Sequence, residues 1–200
     1  MAEARAPTTP TYDFTFDKAL EPWNMQQQEW LGRHNLQNSP SRLNGLATAC
    51  AVFNPQGQIL LVQRAAHDSM PNVWELPGGA VDNEDQTILH GAARELWEEA
   101  GLVAKHFSHV ASEGPDRPPG SVFQNRNKTR TWSRFCFLVE VDDCTAVKLD
   151  PNEHQDFVWA SEDDVRAQRQ GNLLLTITTD SVIVTILEAF RLCEAEGDDS

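Results

Sequence analysis

The clearest helical pattern in the chain lies between Thr87 and Ala100. Apolar residues recur there at intervals of three and four, and the charged residues avoid that stripe. Gly101 follows at the position where a left-handed residue commonly ends a helix. The pattern predicts an amphipathic helix whose buried stripe comprises Ile88, Leu89, Ala92, Ala93, Leu96 and Ala100.

Two apolar runs before this helix predict a β-hairpin over Gly45 to Gln63. The runs LATACAVF and QILLVQR are separated by Asn54-Pro55-Gln56-Gly57, which are residue types that favour a turn. A loop then leads to the turn Pro77-Gly78-Gly79. Two glycines there permit positive φ angles and a close approach of the backbone to phosphate or to the helix.

After the helix, apolar runs alternate with polar segments. Val103 to Ser112, Thr131 to Val141 and Asp156 to Ala160 predict three strands. Glu113 to Arg130 predicts a long loop, because it is rich in Pro, Gly and Asn.

Two further helices are predicted near the C-terminus. Ser161 and Asp164 form an approximate capping box for a helix that ends at Gly171. Thr178 to Cys193 predicts a closing amphipathic helix. The remaining residues, EAEGDDS, are expected to be disordered.

The N-terminal segment carries weaker patterns. Residues 1–12 are expected to be disordered, Tyr12 to Phe16 predicts a short strand, and Pro22 to His34 predicts a helix. Asn35 to Asn44 has the composition of a linker. The segment is interpreted as a packing brace, with a lid and a dimer arm as alternatives.

Three carboxylates share one face of the predicted central helix. Glu95, Glu98 and Glu99 fall within a sector about 100° wide, with Gly91 on the same side one turn earlier. Like charges this close repel one another, so either a hard divalent cation neutralises them or they form a solvated acidic face.

Composition restricts the partners. The formal net charge of −14 disfavours binding to nucleic acid or to an anionic membrane. No segment approaches eighteen consecutive apolar residues, and the N-terminus lacks the apolar run of a secretory signal. The four cysteines show no C-x-x-C spacing. A soluble, cytoplasmic protein is expected.

The central stretch carries a recognisable signature. REL-x-EE-x-GL at Arg94 to Leu102, placed behind LPGG at Leu76 to Gly79, resembles the signature G-x5-E-x7-R-E-U-x-E-E-x-G-U of the Nudix hydrolase family, in which U is apolar. The match to its C-terminal half is complete.

The N-terminal half of the signature departs from that pattern. Gln86 stands where the isolated Glu is expected, and six residues instead of five separate it from Gly79. Glu84 and Asp85 lie beside it as alternatives. The departure leaves open the order of the loop and its ion pair with Arg94.

The resemblance covers roughly residues 45–190 and implies an α+β fold, a Nudix-type α/β/α sandwich with a mixed β-sheet. It divides the chain into an N-terminal extension (1–44), a Nudix domain (45–190) and an acidic tail (191–200). The implied reaction is Mg²⁺-dependent hydrolysis of a diphosphate bond in a nucleoside diphosphate derivative or a related organic diphosphate, with Mn²⁺ as an alternative ion.

The resemblance also implies roles for residues. Glu95, Glu98 and Glu99 correspond to the metal ligands, and Arg94 orients neighbouring carboxylates or the loop. The catalytic base is one of Glu98, Glu99 and Glu153. Glu153 is included because it lies six positions ahead of Trp159, where the family commonly carries an acidic residue.

Substrate contacts are harder to assign. Gly78 and Gly79 are candidates from the turn, and Arg64 from its place at the end of a predicted strand, although a plain surface arginine is equally consistent. Arg130 belongs to a group of five basic residues within eighteen positions, and Trp132 could stack on a base or belong to the core. The complete basic group is Arg117, Arg126, Lys128, Arg130 and Arg134.

Two other functions stay open. One is a biosynthetic enzyme of this fold recruited to isomerisation or cyclisation, which only the altered loop favours. The other is a non-catalytic binding module, which the presence of all three helix carboxylates disfavours. The expected partner is a small-molecule diphosphate, with no nucleic acid and no membrane, and a homodimer is left open.

Overall fold

A computed structural model describes residues 11–35 and 42–198 of the chain. The sequence predictions for residues 1–10, for the centre of the linker (36–41) and for the last two residues lie outside this part. A 3-10 helix spans Lys18–Trp23. The α-helices are α1 (Gln27–Asn35), α2 (Ile88–Ala100), α3 (Glu162–Ala167) and α4 (Asp180–Asp198).

Ten strands form three sheets within the described residues. The main sheet has five strands, β1 (Thr15–Phe16), β2 (Gly45–Ala51), β5 (Ala104–Ala111), β6 (Ser121–Gln124) and β7 (Thr131–Val141). A three-stranded sheet contains β3 (Ile59–Arg64), β4 (Trp74–Glu75) and β8 (His154–Ala160). A small hairpin consists of β9 (Arg169–Gln170) and β10 (Leu173–Leu174).

The main sheet is mixed, as the family resemblance implies. Strand β7 pairs in parallel with β2 and antiparallel with β5 and β6, and β1 pairs in parallel with β5. The α+β class with a mixed sheet is therefore confirmed.

Strand β2 is buried on both faces because two helical layers enclose the sheets. Leu46 and Cys50 pack in the cluster that contains α2, whereas Ala49 and Ala51 pack in the cluster that contains α4. Successive side chains of a strand point to opposite faces, so a strand between two apolar layers has no polar face. This arrangement is an α/β/α sandwich.

The central helix ends where the sequence predicts. Thr87 caps it by accepting a hydrogen bond from the His90 N–H at 3.2 Å, and Gly101 adopts a left-handed conformation with φ 68°. The Gly101 N–H donates to the Trp97 carbonyl at 2.9 Å. These caps set the ends of the helix that carries the carboxylates.

The predicted hairpin exists only at its tip. The Asn54–Gly57 turn forms, and an isolated bridge joins Phe53 to Ile59. The strands then separate, because β2 pairs with β7 in the main sheet and β3 pairs with β8 in the other. An apolar run indicates that a strand is buried, but it does not specify the strand with which it pairs.

Other boundaries also differ from the predictions. The loop from Glu113 to Arg130 contains β6, an edge strand of the main sheet. Helix α3 stops at Gln168, which has a left-handed φ of 48°, instead of at Gly171. Helix α4 continues past Cys193 to Asp198, into the tail expected to be disordered.

The N-terminal segment packs on the main core. Leu20 and Trp30 are buried in the cluster that contains α2, and the buried Gln27 side chain bridges strand β2 and the loop before α2. Its amide donates to the Val81 carbonyl at 2.8 Å and accepts from the Leu46 N–H at 2.8 Å. Within the described residues, this segment has the contacts of a brace; the boundaries of the three sequence regions remain predictions.

None of the helices in the described residues combines the length and the apolar character that a membrane crossing requires.

Candidate active site

Helix α2 presents its three carboxylates at three different depths. The Glu98 side chain is 46% exposed and that of Glu95 is 13% exposed, whereas Glu99 is buried, at 5%. The helix packs against β2, so side chains nearer that strand are progressively excluded from water. The exposure of the three carboxylates therefore decreases from Glu98 through Glu95 to Glu99.

Glu99 is held by the Pro-Gly-Gly turn. The Gly78 N–H donates to Glu99 Oε2 at 2.6 Å. Burial raises the pKa of Glu99 well above its ordinary value, the nearby Glu95 and Glu75 carboxylates raise it further, and the Gly78 hydrogen bond opposes the shift. A cation beside this carboxylate would offset the cost of burying its charge.

The two glycines allow the turn to lie between β2 and α2. Gly78 has φ 147°, and a Cβ there would meet the Thr48 carbonyl oxygen at 2.3 Å; at Gly79 a Cβ would meet Glu95 Oε2 at 2.6 Å. The Thr48 N–H also donates to the Gly79 carbonyl at 2.8 Å. The close approach of the backbone to the helix that the sequence allows is found at Gly79, which lies against Glu95.

Arg94 joins the exposed and half-buried carboxylates. Its Nη1 donates to Glu95 at 2.8 Å and to Glu98 at 2.9 Å. Hydrogen bonding to Asp85 is the largest cause that raises the Arg94 pKa above its ordinary value. Burial raises the pKa of Glu95 to about 7, against the opposing effect of Arg94.

Asp85 provides the acidic group that Gln86 does not. Its Oδ1 and Oδ2 accept hydrogen bonds from Arg94 Nε and Nη2, each at 2.9 Å. Its Oδ2 also accepts from the Asp82 N–H at 2.8 Å, while Gln86 is exposed. The loop is thus ordered through the residue before Gln86, one of the two alternatives named from the sequence.

Glu153 reaches the cluster from another part of the chain. Ligand atoms of Glu99, Glu153 and His154 all lie within 4.8 Å of one another. Glu153 is exposed, and its N–H donates to the Asp150 carbonyl at 3.1 Å in the turn before β8. The spacing to Trp159 therefore led to a carboxylate that does meet Glu99.

Sequence reasoning missed His154 and Glu75. His154 is 2% exposed and opens β8, and its Nε2 lies 3.4 Å from Glu75 Oε1. The predicted strand begins at Asp156, so the sequence assigns His154 to neither face of the sheet. Its place next to Glu153 was the one available signal, and nothing local distinguished Glu75.

Arg64 is engaged by two carboxylates at the edge of this cluster. Its guanidinium lies 2.7 Å from Asp68 and 2.6 Å from Glu75. Hydrogen bonding lowers the pKa of Asp68 far below its ordinary value. Arg64 therefore lies near the site, where it holds Glu75. Its contact with substrate stays a prediction.

Arg130 and Trp132 belong to the hairpin of β6 and β7. Arg130 is exposed, and the half-buried Trp132 is paired with Phe123 across the strands. A Cβ on Gly45 would meet the Trp132 ring at 2.5 Å, so the indole covers the start of β2. Their roles as substrate contacts stay predictions.

A small cleft opens beside Glu75 and the Pro-Gly-Gly turn, between the strands and α4. Its walls include Thr48, Glu75, Gly78, Arg134 and Thr185. Arg134 comes from the basic group found in the sequence, and its guanidinium carbon lies 5.8 Å from the centroid of the Phe123 ring. The cleft therefore offers one cationic wall next to the acidic cluster.

The donor set fits a divalent cation. Carboxylates from α2 and from the turn before β8 converge, one of them is buried, and backbone N–H groups and Arg94 satisfy part of their hydrogen-bonding capacity. Clustered carboxylate oxygens are ligands suited to Mg²⁺ and Mn²⁺.

Known sequences resemble this chain over different spans. A sequence model of the NUDIX domain matches residues 43–176. An RNA pyrophosphohydrolase from Psychrobacter sp. (strain PRwf-1) is 44% identical over 61 residues, which are 30% of this chain and 32% of that protein. The phosphatase NudJ from Escherichia coli (strain K12) is 25% identical over 138 residues, 68% of this chain and 79% of NudJ.

Solved structures share the fold. A MutT protein from Methanosarcina mazei Go1 has a TM-score of 0.55 at 22% identity, over 80% of this chain and 99% of that chain. An Ap4A hydrolase from C. elegans has a TM-score of 0.51 at 20% identity, over 78% of this chain and 99% of that chain.

Proposed function

The chain belongs to the Nudix family, and from that premise we propose that it is a divalent-metal-dependent pyrophosphohydrolase of a nucleoside diphosphate derivative or a related small organic diphosphate. The observation that carries the proposal is the convergence of Glu99 from α2 with Glu153 from the turn before β8, beside the Pro-Gly-Gly turn.

Glu95, Glu98 and Glu99 would hold the cation, with Mg²⁺ or Mn²⁺ as the ion. A bound divalent cation neutralises diphosphate oxygens, stabilises charge on the leaving oxygen and acidifies water. Gly78 keeps the buried Glu99 carboxylate in one orientation through its N–H. Arg94 orients Glu95 and Glu98 and is itself fixed by Asp85.

Glu153 is the proposed base that accepts a proton from the attacking water. A base must reach water, and Glu153 is exposed while Glu99 is buried. Glu98 also reaches solvent, but it is paired with Arg94 at 2.9 Å. This contrast favours Glu153 among the three candidates.

The proposed substrate is a small molecule. The RNA pyrophosphohydrolase matches this chain over only 61 residues, and a net charge of −14 opposes the approach of a polyanion. Arg134, on the wall of the cleft, is a proposed contact for an anionic group of the substrate. The cytoplasmic location and the homodimer stay predictions.

Isomerisation or cyclisation stays the alternative, with less in its favour. That alternative depended on the altered loop, and the ion pair of Asp85 with Arg94 supplies the order that the loop needed.

The test is a hydrolysis assay with Mg²⁺ and with Mn²⁺ over a substrate panel. The panel contains oxidised nucleoside triphosphates, nucleotide sugars including ADP-ribose, dinucleoside polyphosphates and isoprenoid diphosphates, with products identified by mass spectrometry. We expect cleavage between two phosphorus atoms that requires added metal. A metal-dependent product without diphosphate cleavage would contradict the proposal.

A further inference from the structure

His154 is a buried imidazole whose hydrogen-bonding capacity the protein leaves partly unused. It is 2% exposed, and its Nδ1 has no hydrogen-bond partner among the described residues. Its Nε2 has only a long contact, 3.4 Å, with Glu75 Oε1. A buried polar atom without a protein partner is costly, so this ring nitrogen is available to a ligand.

The surroundings of His154 are acidic. One of its ring nitrogens lies within 4.8 Å of carboxylate oxygens of both Glu99 and Glu153. Two ligands on opposite sides of one ion at bond lengths near 2.1 Å are about 4.2 Å apart. Adjacent ligands of such an ion are about 3 Å apart, so the three side chains are close enough for side-chain adjustments to draw them onto one ion.

Glu75 is placed to orient the ring. Metal-bound histidines commonly direct their second nitrogen at a carboxylate, which fixes the ring orientation. Glu75 lies beside Nε2 and is itself held by Arg64 at 2.6 Å. Glu75 and Arg64 are thus placed to hold the His154 ring in one orientation.

We propose that Glu99, Glu153 and His154 form a mixed oxygen and nitrogen site that binds a first-row transition-metal ion in preference to Mg²⁺. Mg²⁺ favours oxygen ligands, whereas an imidazole nitrogen adds affinity for transition ions. The inference rests on the proposed function, because the same Glu99 serves the hydrolytic centre. Glu153 would bind the ion through one carboxylate oxygen and keep the other for the attacking water. The inference changes the expected ion from Mg²⁺ to one such as Mn²⁺.

The probe is Mn²⁺ alone, added to the full chain. Pulsed electron paramagnetic resonance detects the magnetic coupling between bound Mn²⁺ and a directly ligated imidazole nitrogen. We expect a ¹⁴N coupling in the unlabelled protein that becomes a ¹⁵N coupling when only the histidines are labelled. This experiment needs no substitution, so it does not depend on the folding of a variant.

Two variants assign the nitrogen. His154→Gln is expected to abolish the coupling and to lower Mn²⁺ affinity by about tenfold or more, while Mg²⁺ affinity changes less. The matched control is His106→Gln, because His106 lies on β5 and contacts Thr15 and Asp17 instead of the acidic cluster. That control is expected to keep both the coupling and the affinity.

The outcomes separate this inference from the proposed function. Bound Mn²⁺ without any histidine coupling, in a protein that still hydrolyses diphosphates with Mg²⁺, would overturn the inference alone. A histidine coupling in a protein that hydrolyses no diphosphate would support the site and contradict the proposed function. A coupling that survives in His154→Gln would also overturn the inference.

Discussion

Asp85 and Arg94 form a two-point ion pair, with Nε to Oδ1 and Nη2 to Oδ2 distances of 2.9 Å each. The Asp85 side chain is only 7% exposed. Removing one partner of such a pair leaves a poorly solvated charge. This pair ties the loop before α2 to the face that carries the carboxylates.

Asp85→Ala is therefore expected to lower the free energy of unfolding by about 3 kcal/mol. The matched control is the exposed neighbour in Gln86→Ala, for which a change within about 0.5 kcal/mol is expected. Urea denaturation followed by circular dichroism measures both. Equal losses in the two variants would contradict the role assigned to Asp85.

Glu98→Gln and Glu99→Gln are each expected to reduce turnover by about 10²-fold or more, because each removes a proposed metal-ligand charge. Glu162→Gln, on α3 and paired with Arg166, is the control that keeps its activity. Steady-state kinetics on the best substrate of the panel gives kcat. Near wild-type turnover in both site variants would remove the metal assignment.

Gly78→Ala is expected to destabilise the protein by roughly 2 kcal/mol or more, because its φ is 147° and a new Cβ would meet the Thr48 carbonyl oxygen at 2.3 Å. Gly32→Ala, in α1, would meet nothing within 4 Å and is expected to stabilise by roughly 0.5–1 kcal/mol. Thermal melts compare the two. A tolerated Gly78→Ala would show that the turn can move away from β2.

Gln27→Leu is expected to cost about 3 kcal/mol, because it leaves the Val81 carbonyl and the Leu46 N–H buried without partners. The control is Gln28→Leu, since Gln28 is exposed and contacts Asn83 at 3.2 Å. Chemical denaturation measures the difference. Equal stability of the two variants would argue that the N-terminal segment does not brace the core.

The pH dependence of stability is expected to include a contribution from His90. Burial lowers its pKa below the ordinary value of 6.5, against the opposing charge of Asp85. Between the folded and the unfolded pKa the unfolded chain binds more protons, so this group reduces stability as pH falls through that interval. The contribution is absent well above pH 6.5.

His90→Gln removes that titration. The loss of melting temperature between pH 7.5 and pH 5.5 should be smaller in His90→Gln than in the wild type. Differential scanning calorimetry at the two values measures it, with His67→Gln, on the exposed loop after β3, as the control. An identical loss in the wild type and His90→Gln would contradict the lowered pKa.

The local patterns of the sequence predicted much of the fold. Helix α2, its glycine end at Gly101 and strand β7 follow from periodicity and capping, which depend on residues close together in the chain. The pairing partner of a strand does not follow from such local patterns, so the sequence does not show that β2 pairs with β7 and not with β3. The sequence does not predict strand β6, because this edge strand lies in a Pro- and Gly-rich segment and has no continuous apolar run.

The sequence by itself determined that Glu95, Glu98 and Glu99 share a helix face behind a Pro-Gly-Gly turn, because helical periodicity is a local property. Only the tertiary structure decided that Glu99 is the buried member, that Asp85 and not Gln86 holds Arg94, and that His154 joins the cluster. Burial and proximity depend on how β2, α2 and β8 pack together, and residues distant in the chain meet only when that packing forms.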